Sequence, residues 1–120
     1  MMLYLAALLV ALLGLAHSVL GERYILVRLF RRDLPKLFGG PDFTRRTLRF
    51  AWHLTTLLAW TLAALLVQIA GPHSPSSLAA SIGWALLACG LLPLVITRGR
   101  HISWLVLFAA GALCLAWAAQ

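Results

Sequence analysis

Acid is scarce in this chain: of its 120 residues only Glu22, Asp33 and Asp42 carry carboxylate side chains. No paired carboxylates are available for acid–base work of the kind that needs two. Cysteine is limited to Cys89 and Cys114, without a Cys-x-x-Cys spacing, which removes a zinc ribbon, a thioredoxin-like redox motif and covalently attached haem. Both cysteines fall inside long apolar runs, where free cysteine behaves as a small buried hydrophobe. A glycine-rich nucleotide loop is missing, and no serine stands beside a base that the sequence makes evident.

Apolar residues make up 62% of the chain and the mean hydropathy is +0.94, too little polar surface to cover a water-soluble globule. Uncharged stretches run from Met1 to Gly21, Phe50 to Pro75, Ser76 to Thr97 and Ile102 to Gln120. Each reaches the roughly 20 residues needed to cross a hydrocarbon core of about 30 Å. Lipid leaves every backbone amide to be bonded within its own segment or in a closed barrel, and these Leu/Ala-rich runs lack the alternation of barrel strands. The expected fold is therefore all-α: a single domain over residues 1–120, with four transmembrane helices in an antiparallel bundle.

All ten cations, Arg23, Arg28, Arg31, Arg32, Lys36, Arg45, Arg46, Arg49, Arg98 and Arg100, fall in the first and third connections. By the cytoplasmic bias of short cationic loops, the expected orientation has both termini outside and the basic connection between helices one and two at the cytoplasmic face. The expected location is the cell membrane, multi-pass, the inner membrane in a bacterium. The first apolar run precedes its positive charges, so it is expected to be retained rather than cleaved as a signal peptide. A pI near 11.2 raises the question of nucleic acid. The arginines instead hug the ends of apolar runs, with no separate basic domain, and suit anionic lipid headgroups, each worth about 1 kcal/mol at best. Partners expected beyond lipid are a second copy or another membrane protein.

Helix one is expected to continue past the membrane edge as an amphipathic segment ending at Pro35, because Arg28, Arg31 and Arg32 recur at helical spacing. Phe38-Gly39-Gly40-Pro41-Asp42 reads as a turn, with Thr44 as a cap for the next helix. Gly71 to Ser77 and Thr97 to Arg100 read as tight hairpin connections, and Pro93 as a kink in helix three near Cys89.

Polar groups inside a membrane span are costly, which makes each a candidate for function. His17, His53 and His101 lie near the charged ends of helices one, two and four, at similar expected depth. Imidazole ligates zinc, iron and haem iron when neutral, and neighbouring arginines favour the neutral form. Glu22 is a fourth candidate ligand, although five residues from His17 turn it about 140° around an ideal helix, so that a local distortion at Gly21 is required. The expected site is thus a metal or haem centre of His17, Glu22, His53 and His101, in a redox or hydrolytic metalloenzyme acting on a membrane-borne substrate. The alternative is a non-enzymatic assembly subunit of a larger complex. In length and helix count the chain is similar to the small multidrug resistance transporters. That family is built around an acidic residue deep in its first helix, where this chain has no acid before Glu22, so a transporter ranks third.

Overall fold

Leucine and alanine lose little rotamer freedom in a helix, and the long charge-free runs of this chain form helices accordingly. A computed structural model describes all 120 residues, Met1–Gln120. It contains α1 (Met2–Leu29), α2 (Pro41–Ala70), α3 (Pro75–Ile96) and α4 (Ser103–Ala118), and no strand. By length and composition α1, α2 and α3 can cross a membrane; α4 is apolar but has 16 residues, about 24 Å at 1.5 Å per residue.

Local chemistry sets the helix ends. Pro41 stands at the first position of α2, where its missing N–H costs nothing. Ser74 caps α3 through a reciprocal bond with Ser77, and Pro75 follows it. Helix α2 begins well before the uncharged run does, so Arg45, Arg46 and Arg49 lie on its opening turns instead of in a loop. Thr44 is therefore not a cap: it sits inside α2, buried, and donates to the Pro35 carbonyl at 2.7 Å. Helix α1 ends at Leu29, earlier than Pro35, and the chain turns through residues 30–32.

Each helix packs only against its neighbours in the chain, α1 on α2, α2 on α3 and α3 on α4. The result is a row, 50 × 32 × 14 Å, and not a closed four-helix bundle. Only 14 of 120 residues are buried, and the accessible area of 7861 Å² exceeds the roughly 6,400 Å² expected of a soluble monomer of this mass. Both broad faces of the row are apolar, with Leu9, Leu13, Leu62, Trp84, Val106 and Leu113 all exposed. A water-soluble protein would collapse to cover such faces, whereas in hydrocarbon they cost nothing to leave open.

Small residues and side-chain donors hold the row together. Along the α1–α2 seam, Trp52 Nε1, Thr56 Oγ1 and Trp60 Nε1 donate to the carbonyls of His17, Gly14 and Ala11 at 3.0, 3.2 and 3.1 Å. Interhelical bonds in lipid average about 0.6 kcal/mol, so three fix the register of the pair by about 2 kcal/mol. Between α3 and α4 the backbones themselves meet: a Cβ on Gly83 would lie 3.0 Å from the Gly111 carbonyl oxygen, and one on Gly111 would lie 2.8 Å from that of Gly83. Gly83→Ala and Gly111→Ala are each expected to cost about 1–3 kcal/mol of stability by overpacking, measured by unfolding in detergent micelles.

Candidate functional site

Gly21 lets Trp52 of α2 approach α1 closely, and from Gly21 to Leu26 the helix is wound as a π-helix, with the Val27 N–H bonding the Glu22 carbonyl five residues back. Such π segments gather at functional positions. The helix is thus distorted at Gly21, as a His17–Glu22 pairing would need, but the distortion does not carry Glu22 to His17. Ser18 and Glu22, four residues apart, share the face of α1 that looks onto His53 of α2. Ser18 Oγ lies 2.5 Å from His53 Nδ1, and His53 Nε2 lies 3.2 Å from Glu22 Oε2. Arg49, one turn before His53, clasps the same carboxylate at 2.8 Å through Nη2, with Nε at 3.3 Å. Its guanidinium also rests 5.0 Å from the Phe30 ring centroid.

The proton positions follow from the partners. A carboxylate facing a guanidinium only accepts, so the neutral His53 ring carries its proton on Nε2 and donates to Glu22. Nδ1 then offers its lone pair to the Ser18 hydroxyl. The chain Ser18–His53–Glu22–Arg49 is thus directional, and Ser18 is the group whose proton it can draw away. Ser18, Glu22 and His53 line a cleft of 470 Å³, walled also by Val19, Arg23 and Val27. His53 and Glu22 side chains are 24% and 34% exposed, enough for a substrate to reach them.

His17 faces the other side of the seam. Its ring stacks on Trp52 at 4.4 Å with a 6° interplanar angle, and Nε2 donates to Thr55 Oγ1 at 2.8 Å, because the Thr55 hydroxyl spends its own proton on the Trp52 carbonyl. It lines a separate, smaller cleft with Leu13, Gly14, Thr55 and Ala59. His101 precedes α4, between Phe43 and Phe50, at ring distances of 6.1 and 4.9 Å. The expected set of His17, Glu22, His53 and His101 is therefore not assembled: only Glu22 and His53 meet, and no group of three or more His, Cys, Asp or Glu side chains is placed to hold a metal ion. The reason is topological. Helices α1 and α4 do not touch in the row, and adjacent residues on α1, His17 and Ser18, open onto different clefts. A shared depth along the helices says nothing about azimuth.

Ser18 and Arg49 are the members that reasoning from sequence passed over. The usable signal was the four-residue spacing between Ser18 and Glu22, together with that between Arg49 and His53, each putting two polar groups on one helix face. Comparison with family models, with curated proteins and with solved structures finds no match for this chain.

Proposed function

We propose that this is an integral membrane enzyme that hydrolyses or transfers an acyl group of a membrane-borne ester, with Ser18 as nucleophile, His53 as general base and Glu22 as the group that orients and stabilises the imidazolium. The observation that carries this reading is the unbroken hydrogen-bond chain from Ser18 through both nitrogens of His53 to Glu22, on the wall of an open cleft. The ring is used in the opposite sense from the familiar Ser-His-Asp arrangement, with Nδ1 toward the serine. Either nitrogen serves, provided the other is held protonated, and Glu22 supplies that hold.

In the proposed reaction Ser18 Oγ attacks the ester carbonyl carbon as His53 Nδ1 takes its proton. The proton is returned to the departing alkoxide, leaving an acyl group on Ser18. Water or a second alcohol then attacks the acyl carbon, giving its proton to His53, which returns it to Ser18 Oγ as that oxygen leaves. Arg23 is the cation in the cleft wall available to the developing oxyanion, and Val19 and Val27 offer apolar surface to an acyl chain.

The accompanying topology reading is four antiparallel spans with both termini on the non-cytoplasmic side, supported by three helices of spanning length, the apolar α4 and the confinement of all cations to the first and third connections. The relay then lies at the cytoplasmic interface, where an ester linkage is at hand. Protein reconstituted in vesicles carrying a fluorogenic long-chain acyl ester is expected to release the fluorescent alcohol. Ser18→Ala should abolish release and Glu22→Gln should slow it about 10²–10⁴-fold, the range associated with a positioned acid–base partner. Release that persists undiminished in Ser18→Ala would remove the serine from the mechanism.

A second reading, a non-enzymatic subunit of a larger membrane assembly, draws on the open row with its two apolar faces. In that case the relay is a lock between α1 and α2. Ser18→Ala and Glu22→Gln would then lower stability without any release of alcohol to lose.

A further inference from the structure

The two charged connections of the chain meet in a third cleft, which shares no lining residue with that of the serine relay. It has a volume of 420 Å³ and is lined by Phe38, Phe43, Arg100, His101 and Ile102. Arg100 reaches 62 residues back to donate to the Phe38 carbonyl at 2.8 Å, and its guanidinium lies 5.7 Å from the centroid of the Phe43 ring. The connections are held in demanding conformations: Phe38 and Arg98 both adopt left-handed backbone angles, φ 49° and 55°. Such angles are strained for a residue other than glycine, and such strain collects at ligand clamps. Thr97, with no exposed surface, braces the third connection by donating to the Pro93 carbonyl and accepting from the His101 N–H.

The donors in this cleft have no anion of their own. Arg45 and Arg49 are paired with Asp42 and Glu22, while Arg100 makes no salt bridge and no carboxylate lines the cleft. His101 accepts the Ser103 backbone N–H at Nδ1, which puts the proton of the neutral ring on Nε2, where it makes no bond within the chain. A guanidinium with unspent N–H groups beside an imidazole N–H fits an anion with several acceptor oxygens, a phosphate above all. Two apolar side chains flank these donors and project outward, Phe38 at 78% and Ile102 at 71% exposure. A dissolved phosphate gives such groups nothing to contact, whereas a phospholipid brings glycerol and acyl carbons with its headgroup.

We propose that the Phe38–Phe43–Arg100–His101–Ile102 cleft binds the phosphate headgroup of an anionic phospholipid, with Arg100 and His101 Nε2 as donors and Phe38 and Ile102 against the acyl region. The assignment rests on the membrane reading and is independent of the serine chemistry. The test is native mass spectrometry of the full-length protein released from detergent, titrated separately with dioleoyl phosphatidylglycerol, dioleoyl phosphatidylcholine and glycerol 3-phosphate. One phosphatidylglycerol should be retained at least tenfold more strongly than phosphatidylcholine, and glycerol 3-phosphate should not compete. Arg100→Gln should lose that preference about tenfold and His101→Asn several-fold, while Lys36→Gln, which removes the same charge outside the cleft, should keep it. His101→Asn leaves the Arg100 tie to Phe38 in place and so reports on binding even if Arg100→Gln disturbs the fold. Equal losses in Lys36→Gln and Arg100→Gln, or no preference for the anionic lipid, would reduce the effect to the general positive charge and overturn the site. Competition by glycerol 3-phosphate would overturn the lipid as its source.

Discussion

His53→Ala is expected to reduce reaction at Ser18 by about 10²–10⁴-fold while leaving the helical content unchanged. The size follows from the work the ring does: without Nδ1 the serine hydroxyl keeps its proton, and a positioned general base is worth that range. Members of such a relay act as a unit, so the double variant His53→Ala/Glu22→Gln should be little slower than His53→Ala alone. His17→Ala is the matched control. It removes an imidazole one residue from Ser18 along α1, but the ring lost is stacked on Trp52 in another cleft, so reaction at Ser18 should fall by far less. Initial rates of ester turnover for the four proteins in vesicles, with circular dichroism for the fold, check the ordering.

The second large effect is expected at Gly21. A Cβ there would stand 1.9 Å from Trp52 Nε1 and 2.3 Å from Cε2, both on a ring that the Nε1 bond to the His17 carbonyl and the His17 stack hold in place. Gly21→Ala must therefore push α1 and α2 apart or expel the indole. Overpacking of this kind costs about 1–3 kcal/mol. The catalytic loss should be the larger consequence, since a shift of about 1 Å between reacting groups can cost on the order of 10²-fold in rate, and Ser18 and His53 sit on the two helices being separated. Gly40→Ala, where an added Cβ meets nothing within 4 Å, should be close to neutral. Thermal unfolding in detergent and turnover in vesicles, measured on both variants, separate the packing effect from any general intolerance of glycine replacement.

The helices were legible because four long runs rich in leucine and alanine and free of charge stand out along the chain. The start of α2 was legible only to within about a turn: a cap at Thr44 would open the helix at Arg45, whereas Pro41 opens it ahead of that. The row was not legible. Hydropathy records that a residue avoids water, not whether lipid or another helix covers it, so a bundle and a palisade share one pattern. For the site, Glu22 and His53 were readable from residue type, whereas the distortion at Gly21 was expected for a Glu22–His17 pairing that does not form. The partners were not, because His17 and Ser18 differ by about 100° around α1, and an argument from depth ignores that angle. Imidazole drew attention away from serine, a common and cheap residue that gains significance only when a base is found 2.5 Å away.

The central claim is that Ser18 is an activated nucleophile, and covalent capture tests it most directly. Wild-type protein and the Ser18→Ala, His53→Ala and Glu22→Gln variants would be incubated in vesicles with a long-chain alkyl fluorophosphonate, then analysed by intact mass and peptide mapping. The account predicts one adduct on the wild-type protein, located at Ser18, absent in Ser18→Ala and strongly slowed in the other two. A wild-type protein that stays unmodified while its His53 and Glu22 variants are equally inert would contradict it.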